Sequence, residues 1–145
     1  MVLRREAVRE RLLRLEEVIS RLEELSRSSP ERPTHDFREA WAVERGLQLA
    51  AEILFDVGNH ILSAHFGVSA QDYEDIVAQL RKAGVIDAPL RDRLKGLGGL
   101  RNVLVHGYLR VDPERVAAHL ERAPAVFSDF VRDVRRWLDH TIPGN

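Results

Sequence analysis

The sequence contains no cysteine and no long hydrophobic run, and each absence excludes a class of protein. Without cysteine the chain forms no disulfide framework, no thiolate zinc site and no thiol nucleophile. No apolar stretch approaches the ~18 residues of a membrane span, and the N-terminus is charged from the start, unlike a secretory signal. We therefore expect a cytoplasmic protein with no membrane partner.

The net charge is also close to zero, because the chain has 22 Lys and Arg residues and 23 Asp and Glu residues. With 145 residues, of which 44% are hydrophobic and 31% charged, the composition is typical of a globular protein that folds as one domain over residues 1–145. A balanced total gives no indication of nucleic-acid binding. It also says nothing about where the charges lie.

Alternation of apolar and polar residues, the pattern of strands, is missing over any useful length, and helical spacing dominates instead. Residues 2–28 repeat apolar side chains at intervals of three and four, which predicts an amphipathic outer helix. A segment rich in serine and proline follows. A second helix, from about Thr34 or Asp36 to about His65, is apolar on most faces, which predicts a central, buried helix.

Capping signals predict three further elements. One helix starts at a variant capping box, residues 69–72 (SAQD), and ends at about Ala83, and another starts at Asp87 and runs through Leu104. The second of these contains three glycines that favour a kink or a close helix contact: Gly96, Gly98 and Gly99. A last helix starts at Asp112 and ends at about His140, with Pro124 expected to kink or divide it. The prediction is an all-α bundle of four to five helices.

The candidate functional residues lie in residues 98–108, GGLRNVLVHGY. On an ideal helix Asn102 and His106 are one turn apart and point away from the apolar side. Arg101 lies at the edge of the apolar side, from which its long side chain can extend toward the same outer groove.

Arginine and histidine together suit phosphodiester chemistry. Histidine exchanges a proton near neutral pH, and a guanidinium binds phosphate through two parallel hydrogen bonds. Metal-free RNA cleavage by the 2′-hydroxyl needs a base, an acid and a cation. One histidine is one proton-handling group too few, so we hypothesise that two copies share the site in a twofold dimer.

A simpler alternative is that Arg101 and His106 belong to a solvated helix face without catalytic function. Local charge favours the functional interpretation. Between residues 89 and 110 five cationic side chains accompany one anion, Asp92, although the whole chain is nearly neutral. Such a cationic strip beside His106 suits an RNA-binding groove.

Residues 101–108, RNVLVHGY, resemble the Arg-x4-His-x-Tyr motif of the HepT toxins, members of the HEPN superfamily of small helical ribonucleases. Three further segments are similar to the family's pattern in the same order: residues 44–50 (ERGLQLA), 56–61 (DVGNHI) and 111–116 (VDPERV). The resemblance covers nearly the whole chain.

The resemblance implies a homodimer whose paired motifs form a cleft, and a metal-independent endoribonuclease that arrests growth and needs no cofactor. By position, Arg101 and His106 are the catalytic pair, and Asn102 orients the arginine or the phosphate. Tyr108 is the position at which a partner nucleotidyltransferase antitoxin, MntA, adds AMP, whose negative charge would repel RNA. The alternative is a non-catalytic helical binding subunit of a minimal nucleotidyltransferase.

Three polar residues of the central helix have two interpretations: Asp56, Asn59 and His60. They form a structural polar network inside the bundle, or they line the cleft and support Arg101 or His106. His60 and His65 diverge on a helix and have no cysteine beside them, so we predict no metal site. Trp41 and Trp137 are expected to anchor the core or an interface.

Overall fold

The computed structural model describes residues 2–28, 34–107 and 111–141, and within these ranges it contains helices and no strand. The elements are α1 (Arg5–Ser28), α2 (Phe37–Phe66), α3 (Tyr73–Lys82), α4 (Ala88–Arg93), α5 (Leu97–His106) and α6 (Pro113–Thr141). The long helices α1, α2 and α6 pack against one another, and the three short helices connect α2 to α6. The predicted all-α class is confirmed.

Helix α2 is central, as its apolar sequence predicts. It contacts α1, α3, α5 and α6. Its fully buried side chains include Leu47, Leu54, Ile61 and Leu62, and each contributes about 1.5–3 kcal/mol of transfer free energy when buried. Even so, no helix in the described ranges is long and apolar enough to cross a membrane.

The fourth predicted element is divided into α4 and α5, with a break at residues 94–96. Gly96 has a φ of 86°, in the left-handed region where side chains other than glycine are strained. Gly98 allows a close helix contact, because a Cβ at this position would lie 2.8 Å from the Cβ of Tyr73 in α3. The expectation of one helix through Leu104 is therefore wrong. Gly96 allows the break between α4 and α5, and Gly98 allows the close contact with α3.

The predicted helix start at Asp87 is confirmed by its cap, whereas α3 is capped by Asp72, the last residue of the predicted capping box, and not by Ser69. A carboxylate oxygen of Asp72 accepts from the backbone N of Asp75 at 2.7 Å, and one of Asp87 accepts from the backbone N of Leu90 at 2.9 Å. Helix α6 continues without interruption past Pro124, so this proline does not divide it.

Candidate active site

Helix α5 has one buried side and one exposed side, and the exposed side carries motif residues. Leu97 and Leu100 are buried in the core, whereas Asn102 and His106 are exposed. This is the orientation that helical spacing predicts. Tyr108 lies outside the described residues.

Arg101 is held between three helices instead of extending freely into solvent. Its side chain is 17% exposed, and its Nε donates to Oε1 of Glu52 in α2 at 2.6 Å. The guanidinium carbon lies 4.9 Å from the ring centroid of Tyr73 in α3. Its Nη1 is 3.4 Å from Oδ1 of Asn102, the next residue in α5. The terminal end of the guanidinium therefore lies on the side of α5 that carries Asn102.

His106 is the last residue of α5, and the backbone N of Gly107 donates to the carbonyl of Val103 at 2.8 Å to close the helix. Within the described parts of the chain the His106 ring forms no hydrogen bond or ion pair. Because His106 is also exposed, its side chain is accessible to a ligand or to a second protein chain.

Glu74 of α3 holds the beginning of α5. The N-cap residue of α5 is Gly96, which has no side chain to cap the free backbone N–H groups. Oε1 of Glu74 replaces that cap, accepting from the backbone N of Gly96 at 3.0 Å and from that of Gly98 at 3.2 Å. The first turn of α3 therefore fixes α5 through Glu74 and Arg101 through Tyr73.

The sequence alone did not indicate a role for Glu52, Tyr73 or Glu74. Glu52 is 49 residues from Arg101 along the chain, and nothing in the spacing of either segment associates them. One available signal was that Glu52 interrupts an apolar run on a helix predicted to be central, where a carboxylate requires a partner.

The cationic strip is largely paired with carboxylates in the folded chain. Arg91 and Lys95 lie 3.9 and 3.3 Å from Asp92, and Arg93 forms an ion pair with Asp129 of α6. Arg110 lies outside the described residues. Asp129 of α6 pairs with Arg93 and Glu52 of α2 pairs with Arg101, so the positive charge of the described strip is lower than its sequence predicts.

Asp56, Asn59 and His60 do not form a network inside the bundle. Asp56 and Asn59 are exposed. Asp56 accepts from Nε of Arg11 in α1 at 2.5 Å, and Nε2 of His60 accepts from the backbone N of Arg4 at 3.3 Å. These contacts join α1 to α2 at the surface because α2 turns this side toward α1. The expectation of a buried network is therefore wrong, and no contact of these three with Arg101 is found among the described residues.

The two tryptophans differ in environment. Trp137 is 8% exposed and belongs to the core, whereas Trp41 is 66% exposed. Only Trp137 is therefore a core anchor. In residues 2–28, 34–107 and 111–141 no group of three or more His, Asp and Glu side chains is arranged to hold a metal ion.

A cavity of about 360 Å³ lies between α5 and α6, and its lining includes Leu97, Leu100, Phe127 and His119. Burial lowers the pKa of His119 below its usual value of 6.5, and the positive charges of Arg122 and Arg115 lower it further. The lining contains none of the motif residues Arg101, Asn102 and His106.

Comparison with curated proteins gives relatives that cover most of the chain. A protein of Archaeoglobus fulgidus is 29% identical over 141 residues, which are 97% of this chain and 100% of that protein. The tRNA nuclease HepT of Aphanizomenon flos-aquae is 31% identical over 70% of this chain and 69% of its own. The mRNA nuclease HepT of Shewanella oneidensis is 30% identical over 66% of this chain and 72% of its own.

A solved structure agrees with the fold. It contains a tri-AMPylated HEPN toxin of Shewanella oneidensis in complex with MNT antitoxin, and it matches with a TM-score of 0.79 and 24% identity over 89% of this chain and 96% of that chain. The family model described as "Ribonuclease HepT-like" matches residues 15–134. The chain therefore belongs to the HepT-like family of ribonucleases, which confirms the enzyme class that its arginine and histidine indicate.

Proposed function

We propose that this chain is a metal-independent endoribonuclease toxin that acts in the cytoplasm and cleaves RNA in a cleft shared by two copies. The observation that supports it best is the placement of Arg101. Its guanidinium is fixed at Nε by Glu52, and its Nη1 end lies beside exposed Asn102 on the side of α5 that also exposes His106. A cation and a proton-transfer group thus lie on one surface, as phosphodiester cleavage requires.

In the proposed reaction a base takes the proton of the RNA 2′-hydroxyl, and the oxygen attacks the adjacent phosphorus. The bond from phosphorus to the 5′-oxygen breaks, and an acid protonates the leaving oxygen. The products are a 2′,3′-cyclic phosphate and a 5′-hydroxyl end. Arg101 stabilises the negative charge that develops on the phosphoryl oxygens, and Asn102 orients the guanidinium or the phosphate.

Each copy supplies one histidine at the motif, whereas the reaction uses a base and an acid. We therefore place His106 of one copy as the base and the same residue of the partner subunit as the acid. The exposure of His106 supports this arrangement, because its side chain forms no hydrogen bond or ion pair with the described residues of the single chain. A twofold dimer brings equivalent surfaces together.

Control by a partner nucleotidyltransferase antitoxin belongs to the same proposal. The HEPN toxin in the solved structure of similar fold is tri-AMPylated and bound to MNT antitoxin. Tyr108 follows His106 by two positions, and it is the residue that we propose accepts AMP here. The added phosphates would repel the RNA backbone and block access to His106. The substrate is assigned only as RNA, since one relative is named a tRNA nuclease and another an mRNA nuclease.

The test is cleavage of total cellular RNA in EDTA by the wild type, Arg101→Ala and His106→Ala. We expect the wild type to produce fragments with cyclic phosphate ends and both variants to lose activity. Arg21→Ala in α1 and His140→Ala in α6 are matched controls, because both residues are exposed and outside the motif. A wild type that binds the nucleotidyltransferase but cleaves no RNA would overturn the proposal in favour of a non-catalytic binding subunit.

A further inference from the structure

We propose that Glu52 and Tyr73 are positioning residues that set the orientation of the Arg101 guanidinium for phosphate. Glu52 is 38% exposed and Arg101 17% exposed, so their hydrogen bond of 2.6 Å is partly shielded from water. The inference rests on the proposed function for its catalytic consequence. The orientation itself is measurable without RNA.

The atom that Glu52 contacts determines what Arg101 presents. A guanidinium carries N–H donors on Nε and on both terminal nitrogens, and it binds phosphate through two parallel bonds. Glu52 occupies Nε and leaves the edge formed by the two terminal nitrogens for another anion. That edge is the one beside Asn102. A carboxylate bound to both terminal nitrogens would instead occupy the same edge as the phosphate.

Tyr73 fixes the plane of the guanidinium. Its ring lies under Arg101 and packs against Phe55 of α2, with ring centroids 4.4 Å apart. Gly98 of α5 also packs closely against Tyr73, because a Cβ at position 98 would lie 2.8 Å from the Cβ of Tyr73. Arg101 is thus supported on its face by α3 and on its edge by α2. Such support reduces the reorganisation that phosphate binding would otherwise require.

This arrangement predicts a different kinetic effect from loss of Arg101 itself. In Glu52→Leu the guanidinium keeps its charge but loses its fixed orientation, and a carboxylate that repels phosphate disappears. We expect kcat for RNA cleavage to fall by about 10-fold to 100-fold, while KM stays equal or falls. Arg101→Ala is expected to raise KM as well. Glu52→Gln retains an oxygen that accepts from Nε, so it should recover part of the loss.

Tyr73 is tested through its ring face. Tyr73→Leu removes the aromatic face and is expected to lower kcat, whereas Tyr73→Phe keeps the face and should retain more activity than Tyr73→Leu.

Glu24→Leu in α1 is the matched control for Glu52→Leu, because Glu24 is exposed and pairs with Arg21 at 2.9 Å. Thermal unfolding of each variant separates loss of orientation from loss of fold.

The orientation is read directly from the Nε–H resonance of Arg101 in the nitrogen-15 NMR spectrum of the protein without RNA. In the wild type we expect slow exchange with water, and in folded Glu52→Leu fast exchange and a changed chemical shift. Fast exchange in the wild type would overturn the inference, as would wild-type kcat in Glu52→Leu. A third outcome separates the two proposals. If the Nε–H exchanges slowly in the wild type and fast in Glu52→Leu, but the wild type cleaves no RNA, the orientation of Arg101 is supported and only the proposed function is overturned.

Discussion

At the scale of single residues, the role of Arg101 depends on the shape of its side chain as well as on its charge. Lysine in its place would keep the positive charge, but a single ammonium group cannot bind Glu52 and at the same time present a two-nitrogen edge to phosphate. We therefore predict that Arg101→Lys lowers kcat/KM for RNA cleavage by about 10²-fold. Steady-state cleavage of a short fluorescent RNA measures this effect. Activity close to wild type would show that charge alone is sufficient.

His119 predicts a pH dependence of stability. Because burial and two neighbouring arginines lower its pKa in the folded chain, the unfolded chain binds the proton more tightly. The contribution of His119 to the free energy of unfolding is therefore fully favourable above its ordinary value of 6.5 and is lost as the pH falls below it. We predict that Tm decreases less for His119→Leu than for the wild type between about pH 7.5 and about pH 5.5. Calorimetry measures the difference in slope.

The control for this prediction is His140→Gln, because His140 is exposed near the end of α6. Its Tm should depend on pH as that of the wild type does. An equal slope in the wild type and His119→Leu would contradict the assignment of this dependence to His119.

At the scale of helices, the position of α5 depends on its contact with α3. A Cβ at Gly98 would lie 2.8 Å from the Cβ of Tyr73, so Gly98→Ala must move α5 away from α3. We predict a loss of about 1–3 kcal/mol in the free energy of unfolding, together with lower RNA cleavage, because the same movement displaces Arg101 from Tyr73. Urea unfolding measures the loss.

Gly99→Ala is the matched control for Gly98→Ala. Gly99 lies in the same helix, and a Cβ there would have no heavy atom within 4 Å. Alanine is the better helix former by roughly 1 kcal/mol, so this variant should be equal to or more stable than the wild type. Equal stability of the two alanine variants would show that the close contact carries no cost.

Also at this scale, the predictable features were those that depend on nearby residues. The helix start at Asp87 is encoded within three positions, since its carboxylate accepts from the backbone N of Leu90 in the first turn. The break before α5 was harder to predict. Three glycines indicated a kink or a close helix contact, but the sequence does not show which of them adopts the positive φ that Gly96 has.

For the whole molecule, the motif positions were predictable and their partners were not. The pattern of residues 101–106 is continuous in sequence, and helical geometry alone gives the exposed side for Asn102 and His106. The partners Glu52 and Tyr73 come from other helices. The pairing of charges was equally unpredictable. The segment around Arg93 is positive in sequence, but Asp129 of α6, which is distant in sequence, pairs with that arginine. A contact between distant segments requires the tertiary structure.

The proposed shared cleft predicts how mixtures of active and inactive chains behave. If each site needs His106 from both copies, a dimer of one wild-type chain and one His106→Ala chain is inactive. After equal amounts exchange subunits at random, about a quarter of the dimers are fully wild type. We therefore predict that an equal mixture has about one quarter of the RNA cleavage activity of the same total amount of wild type. At other mixing ratios the activity should depend on the square of the wild-type fraction. Self-sufficient chains would give one half and a linear dependence. RNA cleavage across a series of mixing ratios distinguishes the quadratic from the linear dependence. Light scattering on the same samples establishes that dimers are present.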